Sequence, residues 1–424
     1  MYDRREPATQ SPVVVARDTS MSRVLSATTA RQAILGLALG VAASLYNANA
    51  GDLNAPAYRP YSRAAPIYER SPDRELYDRA VPPVDRQAEP RPDLIENNAP
   101  ILSGRLVLLG QKLFYDGRLS RTGLTACATC HDPRYAFAQP TRVSQSDTGQ
   151  LGPRNAPSLI NAGALPVLMW DGRFRTLEQQ ATSPFLRGEM GIDIREAERR
   201  LNLDAEYLHL FQAALNSRPS ASGMARALAA YQRTLISETS RFDRFISNNK
   251  AATLTALELD GLLLFERKAG CSVCHQFQSS AHYQTPGLRL FTDLGFHNLG
   301  IGYAAGRFAD TGRYRVSGDE SDLGAFRTPS LRNVAVTAPY MHDGSLATLE
   351  EVIDFYDAGG RPNPNLSPFI KPLFLNAYEK AALVAFLRTL TDQQYDPIRT
   401  PPRETPAVSY RPSVSRGHLS DFVR

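Results

Sequence analysis

The chain has 424 residues, 42% of them hydrophobic, enough apolar material for two or three core-forming domains. Its formal charge is only +5, and no basic stripe interleaved with aromatics occurs, which excludes nucleic acid as a partner class.

In chain order, residues 1–50 read as a signal-peptide region. Arg23 and Arg31 supply the positive end, Ala33–Tyr46 the apolar stretch, and Ala48-Asn49-Ala50 the small-residue cleavage site. Fourteen apolar residues are too few to cross a bilayer comfortably, so no stable membrane span is expected after processing; an uncleaved anchor is the alternative. Residues 1–20 do not resemble a targeting segment, which makes Met21 a second candidate start. Loss of residues 1–50 leaves 43 basic against 40 acidic residues, or +3. Residues 51–94 form a Pro/Arg-rich extended linker: positions 51–93 hold eight prolines, seven arginines and four tyrosines without apolar periodicity. Short amphipathic helices are expected at Leu109–Phe114 and Leu259–Phe265, and longer helical patterns run over Ile194–Leu215, Met224–Ile236 and Tyr378–Leu390. A polar stretch, Glu238–Lys250, joins two halves, and residues 395–424 form a disordered tail rich in Arg and Pro.

All four cysteines fall in one repeated pattern, Cys127-Ala-Thr-Cys130-His131 and Cys271-Ser-Val-Cys274-His275. Cys-x-x-Cys-His is the c-type haem attachment signal: two thiols bond the haem vinyls, and the histidine becomes the proximal iron ligand. A thioredoxin-like pair or half a zinc site explains neither the histidine after both pairs nor the use of every cysteine. Two covalently bound haems are therefore expected, with His131 and His275 on their irons. Haem of this type is attached outside the bacterial cytoplasm, which agrees with a periplasmic location.

Each motif precedes a related segment. Pro157–Glu178 aligns with Pro329–Glu350 at a constant offset of 172, with ten of 22 positions identical and no gap. The expected fold is mostly α: two tandem cytochrome c-like haem domains related by internal duplication, residues 95–245 and 246–394. Differences between the halves then carry information. Eight residues past Thr348, at the end of a helix opened by a capping-box-like Thr-x-x-Glu, stands Tyr356; eight past Thr176 stands Pro184. A tyrosine phenolate can ligate haem iron and a proline cannot, so the second haem is expected closed by Tyr356 and the first open. Met341 competes as axial ligand, but Met169 occupies its place in the first half, as a core filler kept in both halves would. A tyrosine merely packed on a helix face is the remaining reading.

Among the seven histidines, His209 reads as a packed surface residue, His282, His297 and His342 belong to the second half, and His418 lies in the tail. His342 replaces Trp170 at the matched position and reads as a structural hydrogen-bonder. Trp170, the only tryptophan, is either a core aromatic or an electron relay between the haems.

Arg154-Asn-Ala-Pro-Ser-Leu159, Trp170-Asp-Gly-Arg173, Leu177-Glu-Gln-Gln180, Gly188-Glu-Met190, Phe296-His-Asn298, Thr328-Pro-Ser-Leu-Arg-Asn333 and Ala338-Pro-Tyr-Met-His-Asp-Gly344 accompany the two cysteine motifs. Together they resemble the bacterial dihaem cytochrome c peroxidase superfamily and, within it, the MauG-like branch, over about residues 95–392. The resemblance implies that Glu189 is the distal acid–base group and that Gln180 and Pro184 are its distal-pocket neighbours. The segment Pro184–Glu189 is one residue shorter than the family's pattern. It implies too that Trp170 is the inter-haem tryptophan, and that Asn155, with the carbonyls of Thr337 and Pro339, binds a calcium ion at the domain interface. Tyrosine at 356 is the MauG-like choice where ordinary dihaem peroxidases have methionine. The loop histidine that blocks the first haem in those peroxidases has no counterpart between Asp132 and Leu208. The implied activity is reduction of hydrogen peroxide with electrons from a small cytochrome c or cupredoxin. The alternative is MauG/MbnH-like, peroxide-dependent oxidation of tryptophan side chains on a partner protein. A non-catalytic dihaem electron carrier would need both irons closed, which Pro184 opposes.

Overall fold

The computed structural model describes residues 104–186, 188–247, 253–277 and 288–395. The chain divides into two units, Met1–Ser71 and Pro72–Arg424, and every described residue belongs to the second. The expected signal region, the linker 51–94, the tail beyond Tyr395, His282 and His418 lie outside the described residues. No helix among the described residues is long and apolar enough to cross a membrane.

The described chain is mostly helical. It runs α1 (Gly104–Tyr115), α2 (Cys127–Cys130), α3 (Leu177–Leu186), α4 (Ile194–Asn202), α5 (Ala205–Leu215), α6 (Ala221–Arg233), α7 (Arg241–Ile246), α8 (Ala256–Glu266), α9 (Tyr314–Ser317), α10 (Leu349–Asp357) and α11 (Ala377–Arg388). Strands are few and short. β1 (Phe296–Asn298) pairs antiparallel with β4 (Ala325–Arg327), Phe296 opposite Arg327, and β2 (Tyr303–Ala304) pairs with β3 (Arg307–Phe308).

Among the described residues, each half has a close helix crossing built on glycine. α1 crosses α6 at Gly110, where an added Cβ would lie 2.6 Å from the Ala227 carbonyl carbon; α8 crosses α11 at Gly261, with the same 2.6 Å to that of Ala382. Only a residue without a side chain lets two helix backbones approach so closely. Around the first crossing pack Leu109, Leu113, Phe114, Tyr207, Phe211 and Met224. Around the second, Phe386 meets Phe265 at 5.1 Å and Phe242 at 5.5 Å between ring centroids, and Phe242 meets Phe291 at 5.8 Å.

The loops after the crossings also match. Asn161 and Asn333 both take left-handed backbone (φ 58° and 59°), as do Met169 and Met341 (71° and 72°). Each asparagine latches the chain just past a crossing helix, α6 or α11: the Asn161 amide N–H donates to Leu235 O (2.8 Å) and that of Asn333 to Leu390 O (3.1 Å).

Three local readings differ from the structure. The pattern Ile194–Leu215 is two helices, because Asp204 accepts from the amides of Glu206 and Tyr207 and so starts a new helix as N-cap. The Thr348 cap is half a capping box: its hydroxyl accepts from Glu351 N, while the Glu351 carboxylate accepts from Ala347 N. The polar stretch Glu238–Lys250 contains α7, whose Phe242 is buried against Phe277, Phe291 and Phe386. The halves are tied together there, since Arg332 forks onto Asp243 (Nη2 to Oδ1 2.8 Å), and Tyr395, assigned to the tail, packs on the first-half core.

Candidate functional site

α8 carries the chain to Gly270, whose φ of 61° turns it into the 3-10 turn Cys271–Val273. The His275 amide donates to Cys271 O (2.8 Å), and His275 Nδ1 lies 2.9 Å from Phe291 O. With Nδ1 held by a carbonyl, Nε2 is the nitrogen left for a ligand. On α10, Leu349, Ile353 and Tyr356 share one face, since they recur at helical spacing; the first two are buried, and the third reaches the same cavity as His275. That cavity measures about 570 Å³ and is lined by Cys271, Cys274, His275 and Tyr356 among mainly apolar neighbours, a volume in the range of cofactor sites.

The donor set fits a c-type haem. None of the four cysteines is in a disulfide. Burial pushes the thiols of Cys127 and Cys271 up to about 12, the reverse of the lowered value that a redox-active pair needs. Burial likewise holds the Tyr356 phenol well above its ordinary range, so a phenolate there requires a cation in the cavity. Met341 lines the cavity as well, so cavity membership does not separate it from Tyr356.

The first half repeats the histidine geometry. α2 holds both thiols, the His131 amide donates to Cys127 O (2.9 Å), and His131 Nδ1 lies 3.1 Å from Phe137 O. That carbonyl is presented by two successive left-handed residues, Ala136 and Phe137, and Ser158 Oγ donates to Ala136 O at 2.6 Å. Gln180 and Pro184 lie one turn apart on α3, so they share a face. Glu189 follows after Gly188, its carbonyl accepting from Asp147 N (2.8 Å). Its carboxylate lies near Cys130: burial first, and then the Glu189 charge, raise that thiol.

Trp170 and Asn155 stand together beside the second histidine. Both line the His275 cavity, as do Thr337 and Pro339, and Trp170 Nε1 donates to Asn155 O (2.9 Å). Beneath them, Arg154 bridges Asp171 (2.7 Å) and Asp310 (2.6 Å), and Arg173 also reaches Asp171 (2.8 Å). His342 is buried and stacks on Phe326 with ring centroids 3.6 Å apart, and no hydrogen bond reaches its ring among the described residues. It is a stacking partner where a hydrogen-bonder was expected. Desolvation lowers its pKa to about 4, so it is neutral. His209 is exposed on α5.

Two features of this site have no plain sequence signal. Asp293 bonds His297 at 2.8 Å and pushes that imidazole up to about 10, with Cys274 as the second contributor. Candidate ligand atoms of Cys274, Asp293 and His297 all lie within 4.8 Å of one another beside the cavity. The other is Arg327, a buried cation in the cavity wall, foreshadowed only by its place before Thr328-Pro329, where the first half has Asn155.

The family model described as di-haem cytochrome c peroxidase matches residues 105–251. The chain is 36% identical over 311 residues to the cytochrome-c peroxidase IdrP1 of Pseudomonas sp. (strain SCT), covering 68% of this chain and 81% of that protein. It is 37% identical over 293 residues to the methylamine utilization protein MauG of Methylorubrum extorquens, covering 68% and 79%. Among solved structures, a MauG-like protein associated with microbial copper homeostasis is similar with a TM-score of 0.62 and 37% identity, over 69% of this chain and 91% of that one.

Proposed function

Because the chain belongs to the di-haem cytochrome c peroxidase family, an oxidoreductase family with two c-type haems, we propose that it is a periplasmic dihaem peroxidase. Hydrogen peroxide is its substrate at an N-terminal haem carried by Cys127, Cys130 and His131. Electrons arrive from a small cytochrome c or cupredoxin through a C-terminal haem carried by Cys271, Cys274, His275 and Tyr356. The observation that carries this reading is one unlike residue at matched positions: Tyr356 faces the His275 cavity, whereas Pro184 has no group to offer iron.

When bound, haem iron supplies the centre at which the peroxide O–O bond breaks. With haem bound, Glu189 would take a proton from one peroxide oxygen and return it to the other, a role worth about 10²–10⁴-fold. The Gln180 amide orients the peroxide, and Pro184 on the same helix face keeps its position clear. Trp170, fixed through Nε1 on the Asn155 carbonyl, relays electrons between the halves.

The halves, residues 95–245 and 246–394, are read as duplicated cytochrome c-like domains; the matched Gly110/Gly261 crossings and Asn161/Asn333 latches support that origin. A calcium ion is assigned to Asn155 Oδ1 and the carbonyls of Thr337 and Pro339. None of these oxygens accepts a hydrogen bond among the described residues, which leaves them for a hard cation.

The test is stopped-flow mixing of the holoprotein with peroxide. Glu189→Gln should slow peroxide consumption about 10²–10⁴-fold with both haems retained, and Tyr356→Phe should change the spectrum of the second haem alone. Resting protein with both irons six-coordinate through nitrogen or sulfur would refute the reading. A second reading, peroxide-driven oxidation of tryptophan side chains on a partner protein, is favoured by Tyr356 and by the likeness to MauG. In that case the partner protein, and no reduced cytochrome, returns the oxidised enzyme to rest.

A further inference from the structure

Four arginines close to the site are buried or half-buried, and three of them have a carboxylate. Arg154 holds Asp171 and Asp310, Arg173 holds Asp171, and Arg332 holds Asp243. Arg327 is the exception. It is only 5% exposed, yet it forms no ion pair among the described residues. Its Nε donates to Met169 O at 3.3 Å and its Nη1 to Thr328 O at 3.0 Å; Nη2 meets no acceptor among the described residues. Desolvation alone lowers its pKa, to about 10. A guanidinium taken out of water and matched only by carbonyls leaves a charge that an anion should answer. Arg327 lines the cavity that holds Cys271, Cys274, His275 and Tyr356.

We infer that Arg327 is a carboxylate anchor in this cavity and that its partner is a propionate of the haem bound there. The inference rests on the haem reading given above. A haem brings two carboxylates into an otherwise apolar chamber, and a planar, permanently charged guanidinium is suited to hold one. The same residue grips the other half of the protein, because its backbone amide donates to Trp170 O (2.8 Å) and its Nε to Met169 O. Arg327 therefore fixes the C-terminal haem and the Met169–Trp170 turn to one another. Arg327 lines the cavity of His275, so this anchor serves the haem bound there.

The test uses the holoprotein, with haem content counted first and the two midpoint potentials resolved by spectroelectrochemistry. In Arg327→Gln the loss of a cation beside the second haem should lower that haem's potential and leave the first unmoved. Arg327→Lys, which keeps the charge, should hold the potential near wild type but shift the propionate bending band in the resonance Raman spectrum, since the planar fork is lost. Should the glutamine variant not fold, the lysine variant decides alone: an unshifted band overturns the proposal. A two-haem glutamine variant with unchanged potential and band also overturns it. So does a wild-type potential that follows chloride concentration and ceases to do so in Arg327→Gln, which would assign the arginine to a free anion. Wild type carrying fewer than two haems would instead overturn the underlying haem reading, and this proposal with it.

Discussion

Gly261→Ala places a methyl group between two helix backbones. Its Cβ would stand 2.6 Å from the Ala382 carbonyl carbon and 2.8 Å from Phe386 Cβ, against about 3.5–4.0 Å for an unstrained carbon contact. The obstruction is mostly backbone, which cannot swing aside, so α8 and α11 must part by about 1 Å. Overpacking of this kind costs about 1–3 kcal/mol, and the backbone neighbour puts it near the upper end. Alanine returns about 1 kcal/mol of helix propensity, leaving a net loss of about 2 kcal/mol. Gly110→Ala meets the same obstacle, 2.6 Å from the Ala227 carbonyl carbon and 2.9 Å from Tyr231 Cβ, and should cost a similar amount. Urea unfolding of both variants, with the slope checked against wild type, measures the loss. Because α8 leads directly into Cys271 and α1 lies ahead of Cys127, each variant should first disturb the absorption of its own half's haem. Variants as stable as wild type, or more stable by the propensity gain, would refute the packing argument.

Arg332→Leu strips Asp243 of its buried partner and should cost about 3–5 kcal/mol in the same urea assay. Burial by itself raises the Asp310 pKa, but the hydrogen bonds and charge of Arg154 outweigh it and hold the group down at about 2. A depressed carboxylate contributes fully above its unfolded value near 4 and loses that contribution as pH falls through about 2, so wild-type stability should fall over that window. In Asp310→Asn, urea midpoints between pH 4 and pH 2 should fall less steeply than in wild type. Met341→Leu should leave the spectrum of the second haem unchanged, in contrast to Tyr356→Phe; a change there would return the axial position to the methionine.

Local spacing in the sequence carried a good part of this molecule. The two Cys-x-x-Cys-His pentapeptides announce their chemistry without a fold, because attachment and ligation use neighbouring residues. The face of α10 was readable too: Leu349, Ile353 and Tyr356 recur at helical spacing, so burying the first two turns the third inward. Where a side chain competed with the pattern, the reading slipped, as at Asp204, whose carboxylate starts a new helix inside one long amphipathic run. Other features exist only between distant segments. Phe242 sits in a polar stretch yet packs on Phe386, 144 residues later. Arg154 meets Asp310 across 156 residues. Arg327 is an ordinary charged residue in the sequence and becomes an unanswered buried cation only once β4 is laid beside the Trp170 turn. Periodicity reports which face of an element is buried, but the partner of a buried charge is set by which segments meet, and that is decided by the packing of the whole chain.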